Sequence, residues 1–395
     1  MRLPDLMLSL PTSRDEHWKY ANLRALARLS RDTAAQASAA TLAAFGSRLT
    51  PPLDGFNRLT LIDGRYLPSP NEGSSGSLAE AGVRLTRRAP IAAPTGDMDR
   101  RFAALHAEHA VETLEIDLAA GRRIELELAC IASGTGHPSV HLRVGTGTEL
   151  RLIERHLDSE TVTSWTNLHL KIELAAGARI DHVRLLDCHA QHHQVDTLEL
   201  HLADEARFEL LQLTQGGASS RTTALVELAG HDSALSWQAA TLASDQQVHD
   251  TYVRVNHSGL RARTDQRFRG IAADRSRIAF NGHMQVAASS RGASTEQSLK
   301  CLLGSPEAEA DLRPQLEIDT DEVRATHGAT VGMLDADMRF YLLSRGLSSE
   351  AAEALLRWAF VSDIISRVSI PALRADIERR LAGKLPGAAA AGALT

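Results

Sequence analysis

From Thr113 to about Thr330 apolar residues recur at alternate positions in one short run after another, and no helical period interrupts them. Leu114, Ile116 and Leu118 open the pattern, and Ile124, Leu126 and Leu128 resume it beyond Gly121. Residues at i, i+2 and i+4 share one face of a strand, so such a stretch must lay one face of many strands against a common interior. A longer order lies above it. Strand-turn-strand units recur as IDLAAGRRIEL, LRVGTGTELRL, IELAAGARIDHV, LHLADEARFELL and VELAGHDSALSW. Their turns fall near Arg122, Thr148, Ala178, Ala206 and Ala234, with separations of 26, 30, 28 and 28 residues. A coil of that size cannot close its own core and must stack on its neighbours. The pattern therefore predicts a mainly β protein built on a β-solenoid. An antiparallel sandwich is the competing architecture, and the near-constant spacing favours the solenoid.

Helical sequence flanks this core, giving an expected division into residues 1–110, 111–326, 327–383 and a disordered tail at 384–395. In the first unit, Ser13 and Glu16 have capping-box spacing, and Trp18, Leu23, Leu26 and Leu29 follow at largely helical intervals. An Ala-rich stretch from Asp32 to Phe45 favours helix by propensity. Pro51, Pro52, Pro68, Pro70 and the Gly/Ser cluster from Asn71 to Ser77 mark a long loop, before a third helix near Met98 to Val111. After Thr330 the period returns to 3.6. Asp335 can cap a helix that Gly346 ends, and Ser348 can cap another with Ala352, Leu356, Phe360, Ile364 and Val368 along one stripe. Pro371 suits the first turn of a last helix through Leu381.

Composition narrows the function classes. The formal charge of -6 opposes non-specific nucleic-acid binding, and no run approaches the roughly 20 apolar residues of a membrane span. The N-terminal apolar stretch is too short for a signal peptide, so a cytoplasmic protein is expected. Cys130, Cys188 and Cys301 are far apart and form no CxxC pair, which excludes a disulfide framework, a self-contained zinc module and a four-thiolate cluster. Any iron-sulfur cluster would need other ligands or another chain.

Few motifs carry chemistry. Gly134-Thr135-Gly136 and Gly145-Thr146-Gly147 lack the helix and lysine of a phosphate loop. There is no GxSxG, no HExxH and no conspicuous carboxylate pair, so a self-sufficient hydrolase is poorly supported. Cys188, His189, His192 and His193, with His182 upstream, have donor types that suit zinc or copper. Their spacing matches no usual metal motif, and a histidine-rich turn is the simpler reading, so no metal is assigned there. Asn281-Gly282-His283 reads as a hairpin or solenoid corner. His327 stands where strands give way to helices. Its imidazole can ligate iron or move a proton, or be merely structural, and spacing does not decide among these.

The run THGATVGMLDADMRFYLLSRGLSSEAAEALLRWAF, from Thr326 to Phe360, closely resembles the C-terminal signature of the SufB/SufD family of iron-sulfur cluster assembly proteins. FNGHMQV, Leu302-Leu303 and RPQLEIDTDEVRATHG resemble the family's last solenoid coils, and LPTSRDEHWKYANL resembles the helical lead-in of the SufD branch. Histidine at position 327, where SufB-like chains are expected to carry cysteine, places the resemblance with SufD. Ala325 departs from it, since SufD-like chains often have cysteine there. The resemblance implies a right-handed parallel β-helix and a non-enzymatic subunit of a SufB-SufC-SufD scaffold. It further implies pairing with SufB through the β-helix and docking of the SufC ATPase on the C-terminal helices, with Phe340, Tyr341 and Arg345 as candidate anchors. No cofactor is expected on the isolated chain. His327 would share iron or a transient iron-sulfur cluster with a SufB thiolate, and the same sheet edge can pair two copies of this chain. Flavin binding and the sulfur donor stay open. The alternatives are a SufB-like chain that ligates a cluster itself and a polysaccharide-active β-helix enzyme.

Overall fold

The computed structural model of the chain describes residues 10–12, 14–21, 23, 26–33, 45, 49–68, 78–90, 98–159 and 162–385. Over most of these the alternating sequence forms two sheets of ten strands each, parallel apart from one antiparallel pair at the N-terminal end of each. Consecutive strands of the core alternate between the sheets. The first sheet ends in Ala293–Leu303 and Val323–Gly332, and the second in Arg277–Val286 and Glu309–Ile318. The result is a β-solenoid of about seven turns, as the repeat predicts, and not an antiparallel sandwich.

The predicted turns stack at one corner. Arg123, Glu149, Arg179, Arg207, Ala234 and Arg263 are successive register partners, so each coil restarts directly above the last. Each of these corners holds a residue in the left-handed region: Gly121, Gly147 and Gly177, then Glu205, Asp232 and Arg261. Their amides bond coil to coil, for example Gly121 N to Thr146 O and Gly147 N to Ala176 O, so the corner is itself a hydrogen-bonded stack. Within the lumen, inward residues such as Leu126, Leu152, Leu170, Leu198, Phe208 and Phe268 form one continuous core.

The flanking segments clothe the two sheets rather than capping the ends. The first sheet carries the C-terminal helices. Helix α3 (Ser349–Ile365) and helix α4 (Pro371–Lys384) set Val361, Ile364, Ile365, Leu373, Ile377 and Leu381 against Ile153, Val183, Leu211 and Leu213 on its outer face. The second sheet carries the N-terminal segment. Trp18, Leu23 and Leu26 pack with Phe102 and Leu105 of helix α1 (Arg101–His109) on Trp165 and Val195. His17 stacks on Tyr252 with centroids 4.5 Å apart, and Glu16 pairs with Arg313 at 2.5 Å. Helix α2 (Ala336–Ser344) buries none of its residues.

Several expectations change in detail. Strands Asn57–Ile62, Arg65–Leu67 and Val83–Arg88 lie inside the segment read as helical, because short alternating runs there join the first coils. Among the described residues, single helical turns at Glu16–Trp18 and Leu26–Arg28 precede α1, and one at Met98–Arg100 leads into it. Ser13 and nearly all of the Ala-rich stretch lie outside the described residues, as does the tail from residue 386. Lys384 still belongs to α4, and Leu385 is buried. Asn281-Gly282-His283 is no corner but the middle of a strand, Arg277–Val286, paired on both sides. The last strand runs to Gly332, so His327 sits inside it and not at its end.

Candidate functional site

Among the described residues, the strand Val323–Gly332 pairs with Ala293–Leu303 on one side only, and Glu309–Ile318 likewise pairs only with Arg277–Val286. Each leaves a row of backbone donors and acceptors facing outward, an edge that templates pairing with another chain. The exposed apolar side chains collect at the same place. Of the seven large hydrophobic residues exposed among the described residues, six lie between positions 318 and 341: Ile318, Val331, Met333, Met338, Phe340 and Tyr341. Exposed apolar side chains gathered beside open sheet edges are a general mark of interaction surfaces.

His327 lies within this patch. It is the register partner of Gln297, which is buried in the lumen, so His327 belongs to the lumen-facing set of the last coil together with Ala325, Ala329 and Val331. Among the described residues no further coil covers it, and its side chain is exposed. The nearest thiol in register is that of Cys301, beneath Val331. Burial pushes that thiol up to about 12, so at neutral pH it is a protonated core group and no thiolate ligand. Ala325 offers no donor.

Three residues link the strand to α2. Asp335 caps that helix by accepting from the backbone N–H groups of Asp337 and Met338, and Gly346 ends it at φ +92°. Phe340 is 73% exposed and Tyr341 is 56% exposed, while the Arg345 guanidinium lies 5.1 Å from the Tyr341 ring. The three candidate anchors therefore stand in solvent rather than in the packing of the helices. Arg339 ties α2 to α3 by bonding Glu353 at 3.1 Å and Ser349 at 2.7 Å.

The other candidate ligands are spoken for separately. His192 bonds Ser164 at 2.7 Å and Gln194 at 2.8 Å, His193 bonds Ser219 at 2.8 Å, and His189 lies 3.2 Å from Asp158. Among the described residues, no group of three or more His, Cys, Asp or Glu side chains comes together to hold a metal. His283 faces outward beside Glu317 at 3.3 Å.

Sequence reasoning passed over a charged cluster in the lumen. Arg184, fully buried, donates to Glu154 at 2.8 Å and to Asp196, while His182 Nε2 lies 3.0 Å from Glu154 and His156 bonds the same carboxylate. Burial works to raise the Glu154 pKa, but the Arg184 charge and the His156 hydrogen bond outweigh it and hold the carboxyl well below its usual range. The signal was there to see: Glu154 and His156 continue the inward phase of Leu150 and Leu152.

The described residues thus define a parallel β-solenoid clothed by terminal segments, with an exposed His327 on its last coil. Comparison with known proteins gives the class its name. The SUF system FeS cluster assembly SufBD core domain matches residues 130–360, more than half of the chain, and the chain belongs to that family. It is 28% identical to the iron-sulfur cluster assembly protein SufD of Escherichia coli (strain K12), over 97% of this chain and 91% of that one. It is 23% identical to a SufBD family protein of Synechocystis over 94% of this chain and 87% of the relative. A SufD of Bacillus subtilis is 32% identical over 27% of this chain and 25% of its own length. The chain is thus a SufD-like member of an iron-sulfur cluster assembly family. No described helix is long and apolar enough to cross a membrane.

Proposed function

We propose that this chain is the non-catalytic SufD-type subunit of a cytoplasmic scaffold on which iron-sulfur clusters are assembled. The observation that carries the reading is that His327 belongs to the lumen-facing set of the last coil, on one of the two open edge strands and in the segment that holds most of the exposed apolar residues. Those edges pair with a SufB-type partner, and in its absence with a second copy. His327 then supplies an imidazole to iron or to a nascent cluster whose thiolates come from the partner, since the only thiol in register here is buried and protonated.

A SufC-type ATPase docks on the C-terminal helices, with Phe340, Tyr341 and Arg345 as anchors of the residue types that dominate interface energetics. Helix α2 packs on α3 and joins the His327 strand through only three residues. Movement of the ATPase is passed along that short link to the assembly edge. The test is co-expression with SufB-type and SufC-type partners and co-purification of wild type and His327→Ala. The variant is expected to form the complex and to mature several-fold less iron-sulfur enzyme. Normal maturation by the variant removes His327 from the mechanism, and failure of the wild type to form any complex overturns the reading.

A further inference from the structure

The lumen beneath His327 contains a ladder of side-chain amides. Gln266, Gln297 and His327 are successive register partners on adjacent parallel strands, so they form one column pointing into the lumen. Gln266 and Gln297 are 0% and 2% exposed. Gln297 Nε2 donates to Gln266 Oε1 at 3.1 Å. A primary amide that donates toward one neighbour of a parallel ladder carries its oxygen toward the other, as in stacked glutamine rungs. Gln297 Oε1 has no hydrogen-bond partner although it is buried, and the rung that follows it is His327.

The opposite wall makes room for this pair. Gly282 faces it from the second sheet, and a Cβ there would stand 2.6 Å from Gln297 Nε2 and 3.0 Å from Gln266 Oε1. Its φ is not in the left-handed region, so the glycine is required by space and not by backbone conformation. Gly282 is therefore explained by the amide pair in the column of the candidate ligand.

We propose that Gln297 is the positioning residue of His327. Its orphan oxygen accepts one ring N–H, which fixes the tautomer and turns the other, unprotonated nitrogen toward the partner-facing mouth of the coil. A buried acceptor left unpaired is destabilising, so the imidazole is drawn to it. A neutral imidazole ligates metal through one nitrogen while the other donates to a fixed acceptor, and such outer partners tune affinity about 10- to 100-fold. The proposal rests on the role of His327 given above, and its test keeps the two apart.

The measurement is the tautomer of His327 in the full chain labelled with nitrogen-15 histidine, read from two-bond nitrogen-proton correlations and assigned with His327→Ala. One tautomer is expected to predominate in the wild type. Gln297→Leu should relax it several-fold toward the mixture of free histidine. Gly282→Ala, which crowds the amide pair without removing a polar group, should shift it the same way. An unchanged tautomer ratio in a Gln297→Leu chain that melts like wild type overturns the proposal. In the co-expressed complex, Gln297→Leu should keep the yield and lower maturation several-fold. A tautomer shift alongside normal maturation by His327→Ala leaves the hydrogen bond standing and overturns only the assignment of His327 as a ligand.

Discussion

The coils around residues 149–228 and the last coil, 309–332, share one backbone plan but not one environment. In the middle, every inward residue has a coil above and below, and the lumen tolerates a buried Arg184 because Glu154 and Asp196 meet it. At the end the same inward phase brings Ala325, His327, Ala329 and Val331 to the surface. Glycines record the contrast. A Cβ on Gly216, Gly230 or Gly259 would stand within 2.1 Å of backbone in the neighbouring coil, whereas Gly328 and Gly332 have nothing within 4 Å. A solenoid is stabilised by contacts between neighbours, so a last coil that no described residue stacks on lacks half of that stabilisation, and the proposed partner would supply it.

The comparison breaks most sharply at the charged cluster. Arg184→Leu leaves Glu154 and Asp196 buried without their cation, and loss of about 3–5 kcal/mol in chemical unfolding is expected. A smaller contrast pits the two regions directly against each other. Leu198→Ala in the middle should cost about 2–5 kcal/mol, while Val331→Ala at the end should stay within about 0.5 kcal/mol in the isolated chain. Equal costs at the two sites would mean that the last coil is covered.

A further probe is pH. Burial holds His137, His193, His249 and His257 at about 4. The unfolded chain takes up these protons first, so stability falls as pH is lowered from about 6.5 toward 4. Glu154 acts in the same direction: its folded value is depressed, so its contribution is full above the unfolded carboxyl value and is lost as pH falls below it. The urea midpoint should therefore drop steadily between pH 7 and pH 5, and a flat profile would contradict the assignment of these histidines as neutral when folded.

Much of this was legible in the sequence. Alternation and repeat spacing specify the solenoid because one side-chain period of two and one corner per coil repeat along the chain; the left-handed corner passes from glycine to Glu205, Asp232 and Arg261 without changing its place. The initial strands were missed because Asn57–Ile62 and Val83–Arg88 are short and separated by loop sequence. His327 stood out in the sequence at the junction of strands and helices, but periodicity alone could not show that it belongs to the lumen-facing set of the last coil. That needed the register with Gln297, and register over long separations is a tertiary property. The amide ladder was invisible for the same reason: Gln266, Gln297 and Gly282 are ordinary residues until three strands bring them together.

The central claim is that the uncovered last coil is the docking edge. Hydrogen-deuterium exchange of the chain alone and bound to a SufB-type partner tests it most directly. Amides of Glu309–Ile318 and Val323–Gly332 should exchange at least about tenfold more slowly in the complex, with the middle coils unchanged, because each paired edge amide gains a hydrogen bond of about 0.5–1.5 kcal/mol and loses its water. Protection confined to other surfaces, with these two strands exchanging as in the free chain, would contradict the account.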